Sequence, residues 1–243
     1  MRHIFLAAGK SSRIYKKIKK NKCLIEINNK PLLLVLINEL QKINITNISV
    51  VTGFKSSNLK NALKNLPNID FIFNKKYKST EMLSSLILAL KRYDTDLLIS
   101  YSDIIFNSSI ITKVINLNEK NITIPILSNW KKIWKIRKKN LLEDGETLRI
   151  NKGGFLNEIG NNINRLQDVK YQFMGIIFIP KKFRKKILLE YNKVSYNKKL
   201  HTTQFLNMLL KKKYKINTVK IKNGWYEFDD YEDYKNYKKN IFN

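Results

Sequence analysis

What limits the fold of this chain most is a rhythm. Short, fully apolar runs rich in β-branched residues are each followed by a segment of helical period. His3 to Ala7 opens it, and Asn47 to Thr52, Ile69 to Phe73 and Asp96 to Tyr101 repeat it. A strand with one wet face alternates apolar and polar residues, whereas one that is apolar throughout is covered on both faces. Helical spacing fills the intervals, from Pro31 through Lys42, from Ser56 or Ser57 to Asn65 and from Ser79 to Arg92. Pro31 suits a first helical turn, where its missing N–H costs nothing, and Ser56 or Ser57 suits an N-cap. Strands alternating with helices predict a mostly parallel sheet between two helical layers, an α/β, three-layer, Rossmann-like architecture. In such sheets ligands bind outside the carboxyl ends of the strands.

A short strand over Cys23 to Ile27, ended by the turn Asn28-Asn29-Lys30, also belongs to the first half. Beyond Asn107 the pattern changes. Ile122 to Ile126 reads as a strand and Trp130 to Lys138 as a helix. Glu146 to Ile150 and Phe155 to Ile159 form a hairpin around Lys152-Gly153-Gly154, and Tyr171 to Ile179 is one long strand containing Gly175. Helices follow at Lys181 to Tyr191 and Thr202 to Lys213, then a strand to Ile221 and a last helix from Tyr231. No repeat or linker divides the chain, so residues 1–243 read as one domain whose second half adds a small hairpin or lid insertion.

The 47 Lys and Arg against 19 Asp and Glu give a net charge of +28. Such a charge attracts polyanions, but the lysines are spread along the chain among abundant Asn and Ile. No arginine-rich tract or aromatic–basic RNA module is present, so solvated surface is the expectation and no nucleic-acid partner is called for. A single cysteine, Cys23, allows neither an internal disulfide nor a zinc site. With no signal peptide and no apolar run near the roughly 20 residues of a membrane span, a cytoplasmic protein is expected.

Chemistry concentrates at the strand ends. The first strand runs into LAAGKSSR, Leu6 to Arg13, where Gly9 permits a sharp turn and Lys10 and Arg13 bracket a run of backbone N–H groups. That combination makes an anion cradle; the alternative is an ordinary turn in a lysine-rich protein. Asp103 follows the Asp96–Tyr101 strand, and Glu227 and Asp229 stand on alternate residues near the far end, facing one way if extended. Carboxylates at the mouth of a sheet hold hard cations, and Mg²⁺ is held by one or two of them with substrate phosphates. Helix caps are the alternative roles: Asp103 before the helix at Asn107, Asp229 before Tyr231. Lys22 closes the loop begun at Gly9 and can swing over the same anion site. The two histidines, His3 and His201, belong to no motif and read as structural or surface residues.

These pieces resemble the nucleotidyltransferase family with a sugar-nucleotide pyrophosphorylase-like fold. Its signature, LAAG-x-G-[ST]-R and then a loop Lys before a P-L-L helix start, stands in this chain as LAAGKSSR and KCLIEINNKPLL, followed by VVTGFK at Val50 to Lys55. More narrowly the chain is similar to the branch that transfers CMP to phosphocholine or to phosphonates such as 2-aminoethylphosphonate. NKKYKSTEMLSSL, YSDI, NWKKIW, EDGETLRI, LNEIG, YQFMGIIFIP and GWYEFDDYEDY carry that likeness, in family order over essentially the whole chain. Two departures stand out: Ser11 replaces the second signature glycine, and Asn21 replaces the proline before the loop lysine.

The resemblance implies a nucleotide-diphospho-sugar transferase-like fold and a Mg²⁺-dependent cytidylyltransferase. Its reaction moves CMP from CTP to a phosphonate or phosphomonoester and releases pyrophosphate. It places the nucleotide on Leu6, Ala7, Ala8, Gly9, Lys10, Ser11, Ser12, Arg13 and Lys22, with Gly53, Thr80, Met82, Ser84 and Ser85 toward the base. Lys22, Arg13 and Asp103 would be catalytic, and Asp103, Glu227 and Asp229 would hold Mg²⁺. For the acceptor's cationic end the candidates are Trp130, Asp144, Glu146, Tyr171 and Tyr226, with 2-aminoethylphosphonate expected over phosphocholine. A sugar-1-phosphate nucleotidyltransferase is the alternative enzyme, and a basic RNA- or membrane-surface-binding protein on an inactive scaffold the non-enzymatic one. A monomer or homodimer is expected.

Overall fold

The computed structural model describes residues 1–117, 121–138, 140, 145–163 and 165–241, with side chains through residue 239. β1 (Arg2–Ala7) leads through α1 (Ser12–Ile18) and a 3₁₀ turn (Lys22–Leu24) to the hairpin of β2 (Glu26–Ile27) and β3 (Lys30–Pro31). Then come α2 (Leu32–Gln41), β4 (Ile48–Thr52), α3 (Ser56–Leu63), β5 (Ile69–Phe73), α4 (Met82–Arg92), β6 (Leu97–Tyr101), β7 (Ile104–Phe106) and α5 (Ser108–Ile115). The second half supplies β8 (Ile122–Leu127), α6 (Trp130–Arg137), β9 (Glu146–Ile150), β10 (Leu156–Asn162), β11 (Gln172–Phe173) and β12 (Ile176–Ile179). α7 (Arg184–Val194), α8 (Thr202–Lys211), β13 (Ile216–Ile221), β14 (Trp225–Glu227) and α9 (Tyr231–Ile241) complete it.

β5, β4, β1 and β6 lie side by side and parallel. β12 joins antiparallel to β6, and β8 lies beyond it with β11 antiparallel and β13 parallel. The sheet is therefore mixed and mostly parallel, as the apolar runs predict. Alternate residues of its strands feed two cores: Phe5, Val50 and Leu98 pack with α2 and α5, while Ile4, Val51 and Ile99 pack with α4 and α8. His3 is buried beside Ser100 Oγ at 2.9 Å, and burial pushes its pKa down to about 3, so it sits in the sheet as a neutral side chain. Among the described residues no helix is long and apolar enough to cross a membrane.

Four local expectations change. Cys23 to Ile27 is a 3₁₀ turn and a two-residue strand, because Asn28 and Asn29 both take positive φ and close a tight hairpin onto Lys30–Pro31. The long strand over Tyr171 to Ile179 breaks at Met174-Gly175. Gly175 has φ +69° and lies so close to the Tyr101 ring that a Cβ would meet Tyr101 Cδ2 at 2.8 Å. The expected helix from Ser79 begins only at Met82, since Glu81 N–H donates to the Lys198 carbonyl at 3.2 Å. At α3 the position before the helix is Lys55, in the left-handed region, and Ser56 is the first helical residue without a side-chain cap.

Candidate active site

At the carboxyl end of β1 the chain turns through Gly9, where a Cβ would meet nothing within 4 Å, and reaches Ser11 at φ 55° and ψ 28°. That conformation suits the glycine of the family signature, and a serine there carries strain of about 1–2 kcal/mol. Serine offsets it with its side chain. Ser11 Oγ accepts the Lys22 N–H at 3.0 Å, and the Ser11 carbonyl accepts the N–H groups of Ile14 and Tyr15. The hydroxyl therefore ties the phosphate-type turn to the base of the loop lysine. Ser11→Ala keeps the strain and loses the tie, so it should lower stability by about 1 kcal/mol, while Ser11→Gly should stay at or above the level of Ser11→Ala. Thermal unfolding of the two variants checks this; an alanine variant as stable as the parent would show that the bond contributes nothing.

The acids arrive by a different route. β7 continues from Asp103, and β14 pairs antiparallel with it, setting Glu227 opposite Ile104. Phe228 N–H then donates to the Asp103 carbonyl at 2.8 Å, which brings Asp229 alongside Asp103. Neither is a helix cap. Asn107 precedes α5, whose Ser108 N–H is taken by Glu39 Oε2 at 2.7 Å. At α9, Asp230 Oδ1 accepts Asp233 N–H while Asp233 Oδ2 accepts Asp230 N–H, a reciprocal cap. Asp229, relieved of that duty, turns its carboxylate into the cleft.

Lys22 Nζ stands between the two, 3.2 Å from Asp103 Oδ2 and 3.0 Å from Asp229 Oδ1. Burial works against its charge, but Asp103, Asp229 and Glu227 outweigh burial and hold its pKa above the ordinary lysine value. Arg13 pairs with the other oxygen of Asp229. Leu6, Ala7, Gly9, Ser11, Ser12 and Met82 line the same cleft with these groups. Glu227 is also on its wall, but Arg137 Nη1 donates to Glu227 Oε2 at 2.8 Å, so a buried guanidinium already balances this acid. Arg137 Nε and Nη2 reach Asp233 at 3.1 and 3.2 Å. Asp233 in turn accepts the Asp229 N–H at 2.8 Å, so Arg137 props the acidic segment from behind.

A second cleft opens from the first and shares Arg13, Met82, Tyr101, Glu227 and Asp229 with it. Its far wall carries Glu81, Glu146 and the residues His201, Thr202 and Thr203 at the start of α8. Thr203 Oγ1 donates to Glu146 Oε1 at 3.1 Å. Tyr101 and Phe173 meet edge to face there at 5.9 Å.

The other expected residues lie elsewhere. Gly53 is buried, because its missing side chain makes room for Tyr77 and the Ala8 carbonyl, where a Cβ would stand only 2.6 and 2.7 Å away. Ala8 is thereby a packing residue, and Lys10 is exposed beside the cleft. Thr80 Oγ1 donates to the Lys76 carbonyl, Ser85 Oγ accepts from Asn74 Nδ2, and neither these nor Ser84 line the two clefts. Trp130 is core, edge to face with Trp134, and Tyr226 is core, donating to the Asp233 carbonyl. Tyr171 has the Lys220 ammonium over its ring. Asp144 lies outside the described residues. Sequence reasoning passed over Arg137, Glu81, Tyr101 and the His201–Thr203 segment; for the last, the helix start at Thr202 was the available signal.

Comparison with known proteins agrees with this geometry. The profile of the MobA-like NTP transferase domain matches residues 3–157. The chain belongs to the MobA-like NTP transferase family. It is 32% identical over 248 residues to CTP:phosphoglutamine cytidylyltransferase of Campylobacter jejuni, covering 96% of this chain and 97% of that one. Its fold is that of the nucleotide-diphospho-sugar transferases. Superposition on CTP:phosphocholine cytidylyltransferase of Streptococcus pneumoniae gives a TM-score of 0.75 at 16% identity, over 98% of this chain and 97% of that one. The glucose-1-phosphate thymidylyltransferase-like protein of Bacillus anthracis gives 0.79 at 20% identity, over 100% and 96%. As a MobA-like NTP transferase, this is a nucleotidyltransferase whose family-matched segment contains the Ala7–Arg13 turn, Lys22 and Asp103.

Proposed function

We propose that this protein transfers CMP from CTP to a small acceptor carrying a phosphoryl or phosphonyl group, releasing pyrophosphate. One observation carries the reading. A buried lysine held between two strand-end carboxylates stands where a glycine-bearing turn with Arg13 meets a second cleft suited to a charged partner. The relative at 32% identity, named for CTP and phosphoglutamine, supports both the nucleotide and the class of acceptor.

In this scheme the backbone of the Ala7–Arg13 turn and the Arg13 guanidinium cradle the triphosphate. Lys22 Nζ neutralises charge that grows on the α-phosphoryl oxygens in the transition state. An acceptor oxygen, already largely anionic near neutral pH, forms the new bond to the α-phosphorus as the bond to the β-phosphoryl oxygen breaks. Both electrons of the broken bond leave with pyrophosphate, and no general base is needed. Catalysis is positioning and charge neutralisation.

The residues fit a divalent cation. Asp103 Oδ1 is buried without a hydrogen-bond partner, and Asp103 and Asp229 both converge on one ammonium. Among the described residues no group of three or more His, Cys, Asp or Glu forms a cage, but Mg²⁺ ordinarily takes only one or two carboxylates together with phosphates. Asp103 and Asp229 would hold it, and it would supply Lewis-acid charge neutralisation of the phosphates. Glu227, balanced by Arg137, is left out of the metal set.

The acceptor's cationic end belongs in the second cleft near Glu146, held by Thr203. With Trp130 and Tyr226 in the core, a carboxylate-lined site favours a primary ammonium, as in 2-aminoethylphosphonate, over the trimethylammonium of phosphocholine. Pyrophosphate release with CTP, UTP, ATP and GTP tests the nucleotide. CTP should lead UTP by more than tenfold in kcat/KM, because an ill-matched base leaves buried polar groups unpaired; equal rates would overturn the assignment.

A further inference from the structure

We infer, on the reading that the second cleft takes the acceptor, that this cleft binds a zwitterionic α-amino acid head, its carboxylate against the start of α8 at Thr202 and its ammonium against Glu146. The acceptor is then a phosphorylated or phosphonylated amino acid, not a plain aminoalkyl phosphonate.

The two walls of the cleft have opposite character. On one, Glu146 is oriented by Thr203 Oγ1 at 3.1 Å, which fixes an acceptor for an ammonium. On the other, α8 is a ten-residue helix that begins in the cleft itself. Its first N–H groups have no partner within the helix and point outward with the positive end of the helix dipole. Helix starts are common, and this one is distinguished by Thr202. Its side chain is only 3% exposed, it lines the cleft, and its Oγ1 makes no hydrogen bond of ordinary geometry, although the Tyr101 hydroxyl lies close by. A buried hydroxyl left in this state is rare in folded proteins and marks a missing acceptor. Burial pushes the Tyr101 pKa well up, so that hydroxyl too keeps its proton as a donor.

The acids of the same cleft do not forbid a carboxylate. Glu227 is paired with Arg137, and Asp229 with Arg13 and Lys22. Glu81 has Lys199 at 3.6 Å. Glu146 remains for the ammonium, a short distance along α8 from Thr202, which matches two charges on one carbon. The far end of such a molecule reaches toward Arg13 and Asp229, the residues shared with the nucleotide cleft.

Two matched pairs isolate the carboxylate: O-phosphoserine against O-phosphoethanolamine, and 2-amino-5-phosphonopentanoate against 4-aminobutylphosphonate. Within each pair the only difference is the α-carboxylate. Pyrophosphate release with CTP, and calorimetric binding in the presence of a non-transferring CTP analogue, should both be read. In the parent, at least one pair should favour its carboxylate member by about tenfold or more, the scale of a charged hydrogen bond. Thr202→Val should shrink that ratio several-fold, Thr202→Ser should restore it, and Glu146→Gln should weaken both members of the pair. Equal binding and equal rates within both pairs would overturn the inference, as would a ratio that Thr202→Val leaves intact. A carboxylate preference in binding with no turnover of any acceptor would instead sustain the inference and overturn the cytidylyl-transfer reading.

Discussion

Asp103→Ala lowers kcat by at least about two orders of magnitude while the protein unfolds at nearly the parental temperature. The two halves of that result have separate causes. Asp103 sits at the mouth of the sheet with one oxygen on Lys22 and the other buried without a partner, so its contribution is to whatever enters the cleft. Removing it leaves Lys22 still paired with Asp229 at 3.0 Å, which limits the structural cost. A carboxylate that fixes both the lysine and a divalent cation acts on charge developed in the transition state, and losses of 10²–10³ are typical for such groups, about 2.7–4 kcal/mol. Raising the Mg²⁺ concentration should recover only part of the loss. A variant within about tenfold of the parent, or about 1.4 kcal/mol of barrier, would remove Asp103 from the centre of the reaction.

Arg137→Met produces the largest loss of stability. Its guanidinium has no exposed side-chain surface, reaches Glu227 and Asp233 with three donors, and lies 4.8 Å from the centre of the Trp134 ring. Methionine fills much of the space but leaves Asp233, with no exposed side-chain surface, without its guanidinium. Breaking a buried ion pair by removing one partner costs about 3–5 kcal/mol. Asp233 also accepts the N–H groups of Asp229 and Asp230, so the damage should spread to the acidic side of the cleft. Denaturant titration should therefore show a loss of at least about 3 kcal/mol, and the KM for CTP should rise as well. A loss below about 1 kcal/mol would show that Asp233 finds water or another donor instead.

Local chemistry was legible where it coincided with the end of an apolar run. Leu6 to Arg13, Asp103 and the Asp229 segment are each fixed by a neighbouring strand, so the rule that ligands meet the carboxyl ends of strands was enough to gather them. Lys22 needed the family resemblance, since one lysine among so many carries no signal of its own. The same excess of cations hid Arg137, whose role depends on being buried, and burial is decided by helix packing that sequence period does not report. Trp130 and Tyr226 misled in the opposite way: large aromatics default to the core, and both are there. Tyr171 to Ile179 read as one strand because its apolar content is continuous. Yet β11 pairs with β8 and β12 pairs with β6, and Gly175 makes the step between them against Tyr101. The His201–Thr203 segment was visible as a helix start, but only the fold brings it across from Glu146.

The direct test of the account is the fate of the α-phosphorus. CTP, Mg²⁺, the enzyme and a phosphoryl-bearing amino acid, followed by ³¹P NMR, should give inorganic pyrophosphate and, in equal amount, a CMP conjugate with two phosphorus centres coupled through one bridging oxygen. Omitting the acceptor should abolish both signals, and Lys22→Ala should suppress both together. Pyrophosphate that forms with free CMP and without regard to the acceptor, or a conjugate that forms only with a sugar phosphate, would contradict the proposed reaction.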